Sequence, residues 1–180
     1  MCAGCLGYEL MWEGKVFNVG DKVIHPAYGA GTIVTIQEKQ VGDQERTYYI
    51  IELLTQSGTL MVPISRADDL GLRPPVEEAD QVLDVLTSEP AVLSDDHRQR
   101  QELINTDLRS GDVLRISEAV RDLANRERVA KLTEADQKLY RRAQGFLAGE
   151  IALSQDVEVE IAQDQVASVL EALNISEEPE

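Results

Sequence analysis

Cys2 and Cys5 are the residues best suited to metal or redox chemistry, yet their C-x-x-C has no second pair to complete a zinc tetrahedron. The chain's two histidines, His25 and His97, lie far from it along the sequence. No metal and no other cofactor is expected. So few nucleophiles and histidines compose no Ser/His/Asp or Cys/His relay. Carboxylates abound, but on an acidic surface they serve as solvated charges rather than paired acids and bases. Gly20, Gly29 and Gly31 sit in a turn pattern and precede no helix, so they form no phosphate loop. No catalytic residue is assigned and no small-molecule substrate is expected. The chemistry left is recognition.

Charge placement narrows the partner. The formal net charge is −16 over 180 residues, which argues against a simple nucleic-acid coat. Residues 1–97 hold 6 basic and 16 acidic side chains, 98–142 hold 11 and 8, and 143–180 hold none and 9. A locally positive middle is thus flanked by two acidic stretches. It includes Arg98, Arg100, Arg115, Arg121, Arg126, Arg128, Lys131, Lys138, Arg141 and Arg142. Pairing with Glu102, Glu118, Asp122 and Glu127 at helical spacing is the plainer use of any one of them.

The first half reads as strands. Val23-Ile24 and Thr32 to Ile36 are β-branched runs flanking a connection that holds Pro26, Gly29 and Gly31. Gly42-Asp43 signals a hairpin turn, Thr47 to Leu54 a third strand, and Thr59 to Pro63 a fourth after the Gln56-Ser57-Gly58 turn. Such spacing suggests a small antiparallel barrel of the SH3/Tudor type. Its exposed edge or concave face suits capture of a partner strand, with Lys39, Tyr48 and Met61 on or beside the strands. Side chains alternate along a strand, so one of Tyr48 and Tyr49 faces the core and the other water; Tyr48 is taken as the outward one.

Beyond Pro74-Pro75 the apolar period changes from two to 3.6, and the second half reads as an all-α bundle of four or five helices. The expected stripes are Val76, Ala79, Val82, Leu83 and Leu86; Val113, Ile116, Ala119, Val120 and Leu123; Leu139, Ala143, Phe146, Leu147 and Ile151; and, over 157–173, Val159, Ala162, Val166, Val169, Leu170 and Leu173. Ser94 is expected to cap a helix running to Leu108, Asp112 the next, and Thr133 with Asp136 a third through a capping box. The chain is therefore expected to be α+β. Its parts are a leader (1–15, disordered, with Met11 an alternative start), a barrel (16–75), a helical domain (76–175) and a tail (176–180). No apolar run is long enough to span a membrane and no secretion signal is evident, so a cytoplasmic protein is expected.

The pattern from Gly20-Asp21 through Val23, Pro26, Gly29, Gly31 and Ile33 resembles the opening of the CarD/CdnL family of bacterial RNA polymerase-binding transcription regulators. The module also occurs in transcription-repair coupling factor, whose helicase motor does not follow here. The likeness continues through Tyr48-Tyr49-Ile50-Ile51, Met61-Val62-Pro63-Ile64 and Gly71-Leu72-Arg73. In the helical half it includes Ser110-Gly111-Asp112, Glu118 to Leu123, Leu132-Thr133-Glu134 and Gly149-Glu150-Ile151-Ala152.

This resemblance implies a Tudor-like domain docking on the β subunit of RNA polymerase, with Lys39, Tyr48, Ile50, Met61 and Pro63 as contact residues. It implies a helical domain that touches promoter DNA in the minor groove, weakly and without sequence specificity, at the upstream edge of the transcription bubble. Studied members wedge a tryptophan there; counting back from Ser110-Gly111-Asp112 sets His97 at that position. Arg98, Arg100, Arg121, Lys138 and Arg142 complete the expected DNA-binding set. Gln99, Gln101 and Glu102 depart from the aromatic or basic residues common in the family. Two other readings stand beside this one: a polymerase-binding relative without DNA contact, and an adaptor whose barrel binds an unrelated strand.

Overall fold

The computed structural model describes residues 16–41 and 44–175. The leader with Cys2 and Cys5, the Gly42-Asp43 turn and the tail lie outside the described residues, as does the Leu173 side chain. Four strands, β1 (Lys22–His25), β2 (Gly29–Val41), β3 (Gln44–Leu53) and β4 (Thr59–Pro63), form one antiparallel meander in the order β1-β2-β3-β4. The number and order of strands match the expectation. Closure into a barrel does not follow, since β1 and β4 are the two sheet edges and do not pair with each other.

Register separates the two faces. Ile33, Ile51 and Leu60 align across the strands, as do Ile36, Tyr49 and Val62. With Phe17, Val23 and Leu72, all of these but the exposed Ile36 build the inner core, and the Tyr49 hydroxyl accepts from the Phe17 N–H at 3.0 Å. Pairing slips between Ile33 and Thr35, leaving Val34 as an extra residue that twists β2. Gly31 is obligatory: a Cβ there would stand 2.6 Å from the Glu52 carbonyl oxygen. A single 3-10 turn at Ile64–Arg66 follows β4, and Arg73 then returns to β1, exchanging both backbone hydrogen bonds with Ile24 at 2.7 and 3.1 Å.

Five helices complete the chain: α1 (Ala79–Thr87), α2 (His97–Ser110), α3 (Val113–Val129), α4 (Glu134–Gln155) and α5 (Val159–Ile175). Helix α1 begins at Ala79 rather than Val76, because Pro74-Pro75 resists the helix and the Val76 N–H donates to Glu150 instead. Asp96, not Ser94, caps α2, accepting from the Arg98 and Gln99 N–H groups. Gly111 ends α2 in the left-handed region at φ 69°. Asp112 caps α3, and Thr133 with Asp136 forms the expected capping box on α4.

Helix α4 organises the molecule. It packs on α1, α2, α3, α5 and β2. Eight consecutive residues, Phe146 to Leu153, are buried, so this stretch is covered all round instead of along one stripe. One flank joins the helical core. The other meets the sheet, where Ile24, Ala30 and Leu153 form a small cluster of their own. The β1–β2 connection is inserted at this joint. A Cβ on Gly71 or Gly111 would come within 2.9 Å of the Pro26 ring, and one on Gly29 within 3.0 Å of the Phe146 ring. The glycine-rich opening motif is therefore the piece of the sheet that seats on the helices.

Candidate functional surfaces

Antiparallel register fixes what the outer sheet face presents. Thr35, Ile50 and Met61 align across β2, β3 and β4, then Gln37, Tyr48 and Pro63, and Lys39 lies opposite Arg46 one pair further on. Alternation puts all of these opposite the Ile33, Tyr49 and Val62 core. Lys39, Tyr48, Ile50, Met61 and Pro63, dispersed in sequence, thus share one face. Lys39 and Met61 are exposed, and Tyr48, Ile50 and Pro63 half-buried. The Lys39 ammonium approaches the Met61 sulfur at 3.4 Å. Tyr49 is fully buried and Tyr48 is not, as alternation requires. β4 is an edge strand with no further neighbour among the described residues, so its backbone groups are open to a partner strand.

The helical cations are not one surface. Arg100 and Arg121, expected to face DNA, are instead buried. The Arg100 guanidinium donates to Asp136 at 2.6 Å and to the Ser94 carbonyl at 2.6 Å. Burial alone would raise the Asp136 pKa, but hydrogen bonds from Arg100, Thr133 and Gln101 outweigh it and hold the carboxyl at about 2. Arg121 pairs with Asp122 at 2.8 Å and reaches the Ser88 hydroxyl. The driving reason is the same for both: a helix flank that faces the core must pair its charges.

These buried ions brace the loop before α2. Asp122 accepts from the Ala91 N–H at 2.9 Å, Arg126 donates to the Leu93 carbonyl and to Asp95, and Arg100 holds Ser94. Val92 stands on this loop at 97% exposure. Sequence reading missed the loop because two of its anchors, Asp122 and Arg126, lie some 30 residues downstream, a separation no local period reveals.

His97 is exposed in the first turn of α2, beside exposed Arg98 and between the acidic Asp95-Asp96 and Glu102. Lys138 is exposed and pairs with Glu134 at 3.4 Å. Arg142 lies at the sheet joint, donating to the Ala27 carbonyl at 3.1 Å and stacking over Phe146 at 5.1 Å. Arg98, Arg109, Lys131 and Arg141 carry no side-chain ion pair or hydrogen bond among the described residues. Of the eleven cations of 98–142, Arg100 and Arg121 are thus turned inward, Arg115, Arg126 and Lys138 pair with acids, and Arg128 and Arg142 bond backbone carbonyls.

Among the described residues no group of His, Cys, Asp and Glu is placed to hold a metal ion. No helix there is long and apolar enough to cross a membrane.

Comparison with known proteins agrees in both halves. Residues 17–76 match the family described as CarD-like/TRCF RID domain, and residues 81–171 the CarD C-terminal domain. YdeB of Bacillus subtilis (strain 168), described as a candidate transcription factor, is 27% identical over 151 residues, covering 79% of this chain and 94% of that protein.

Proposed function

The chain belongs to the CarD-like family of transcription factors, and from that premise we propose that it docks on the RNA polymerase β subunit through the outer sheet face and the free edge of β4. The family implies regulation of transcription in association with RNA polymerase. In our reading the protein acts in the cytoplasm and modulates the stability of promoter open complexes without catalysis. The observation that carries this is the register: Lys39, Tyr48, Ile50, Met61 and Pro63 come from three strands and meet on one face. Half-buried apolar side chains beside an unpaired edge suit strand addition, with the backbone supplying affinity and the side chains choosing the partner.

DNA contact is proposed only for the start of α2, through His97 and Arg98, with weaker help from Lys138. An imidazole stacks on a base less well than a large aromatic, whose stacking is worth about 1–3 kcal/mol. A polymerase-binding protein that scarcely touches DNA is the second reading. It is favoured by the burial of Arg100 and Arg121 and by the acids flanking His97.

Open-complex lifetime, measured with and without the protein, tests the first reading. His97→Trp is expected to lengthen it and Arg98→Ala to shorten it, the arginine effect fading at high salt as counterion release predicts. If neither substitution changes the lifetime while the protein still binds polymerase, the second reading holds.

A further inference from the structure

We propose that Arg73 and Glu150 are positioning residues: their fork, with the Pro26 hairpin seated over Gly71 and Gly111, fixes the angle between the outer sheet face and the start of α2. The consequence for transcription rests on the functional reading above; the geometry does not.

One carboxylate gathers four pieces of chain. Glu150 of α4 is 3% exposed and accepts from Arg73 Nη1 and Nη2 at 2.7 and 2.8 Å, and from the Val76 N–H at 2.9 Å. The same guanidinium donates to the Gly111 carbonyl through Nε and Nη2 at 3.2 and 2.8 Å. Arg73 is itself tied to β1 through its backbone pair with Ile24. Sheet, passage into α1, α2–α3 junction and α4 are thus held by one planar fork.

A buried ion pair is weak evidence for stability, since apolar replacements are often neutral. What a bidentate guanidinium–carboxylate pair adds is direction, because both groups are planar and both oxygens are engaged. Direction matters here because Gly111 lies at the foot of α2. The helix runs 14 residues from His97 to Ser110, about 20 Å, so a tilt of about 10° at Gly111 moves His97 by about 4 Å. A shift of that size separates contact from no contact. Glycine at 71 and 111 lets Pro26 close on both, so the hairpin packs against the same junction that the fork holds.

The test uses the full chain, with Cys2 and Cys5 replaced by Ser and spin labels introduced by Glu45→Cys on the sheet and Glu102→Cys on α2. The parent is expected to show one narrow distance. Glu150→Gln keeps the shape and the Val76 bond but removes the charge, and it is expected to broaden the distribution. Arg73→Lys keeps the charge and gives up the fork, and it must broaden it too. In unlabelled protein both variants should bind polymerase within about twofold of the parent, while their effect on open-complex lifetime falls about fivefold or more, the low end of coupling between sites. A purely structural role moves the melting temperature without this split between binding and lifetime. Narrow distances in both variants, or broad distances with the lifetime effect intact, overturn the positioning role. A parent without any effect on lifetime overturns the functional reading instead.

Discussion

Gly149 of α4 and Ala30 of β2 meet so closely that a Cβ on the glycine would stand 2.8 Å from the Cβ of Ala30 and 3.2 Å from Thr55 Cγ2. The helix and the strand touch backbone to side chain there, with no room for another carbon. Gly149→Ala must push sheet and helix apart, and overpacking of this kind costs about 1–3 kcal/mol. Urea unfolding should show the loss. Gly145→Ala on the same helix, where nothing lies within 4 Å of an added Cβ, should show none; equal effects at both positions would dismiss the close approach.

His25 gives the joint a pH dependence. It is 8% exposed, its Nδ1 accepts from the Ala27 N–H at 3.0 Å, and Tyr28 packs edge-on at 5.1 Å. Burial lowers its pKa below 6.5, so the unfolded chain takes up a proton at a pH where the folded chain still excludes it. Stability is therefore full above about pH 6.5 and declines as pH falls below it toward the folded pKa. His25→Asn retains a short acceptor without titrating. Its urea midpoint should stay level between pH 7.5 and 5.5, where the parent's falls.

Asp136 is the counterpart at lower pH. Its pKa of about 2 lies below the usual 3.8, so its contribution is present above about pH 4 and disappears as pH falls toward 2. Asp136→Asn leaves Arg100 buried without a counter-ion, and breaking such a pair costs about 3–5 kcal/mol. Replacing both, as Arg100→Met with Asp136→Asn, should recover part of that loss. A double mutant no better than the single would show that the cap on Thr133, not the ion pair, carries the energy.

The outer sheet face admits a clean separation of binding from folding. Lys39→Glu and Ile50→Asp alter side chains on the face opposite the core, so melting should change by no more than about 0.5 kcal/mol for the exposed lysine. Polymerase affinity should drop about 30-fold or more for each if these are central contacts. Retained affinity in both would remove this face from the docking assignment.

Helix α5 is expected to be a core element. Ala162, Val166 and Leu170 are buried against the bundle, and Arg128 donates to the Leu170 carbonyl at 2.7 Å. Deleting 157–180 should lower the melting temperature by many degrees, since it strips apolar cover worth about 25 cal/mol per Å². An unchanged melt would make the segment an appendage. Excision of residues 16–75 is a related measurement: it strands Arg73 without Glu150 and bares Ile24 and Ala30, so the isolated sheet should be less stable than it is in the whole chain.

Local rules made much of this protein legible. β-branched runs between Pro, Gly and Asp turns marked the four strands, because a two-residue period and a turn residue each act within a few positions. The Asp112 cap and the Thr133–Asp136 box were equally readable, since a cap is a contact across three residues. Alternation set Tyr48 and Tyr49 on opposite faces, and the structure buries Tyr49. The helical start at Ala79 and the Asp96 cap were missed because distant or competing hydrogen-bond partners decided them: Glu150 for the Val76 N–H, and Asp96 over the equally suitable Ser94. Only the tertiary structure decided which arginines are available. Arg98 and Arg100 are two residues apart and identical in chemistry, yet a helix turns about 200° between them, leaving one in water and the other on Asp136. The motif at Pro26 to Gly31 shows the same limit. Its glycines announce a turn, but that Gly29 leaves room for Phe146, and that Gly71 and Gly111 leave room for Pro26, depends on chain segments some 40 to 120 residues away, and packing across such separations leaves no periodic trace in sequence.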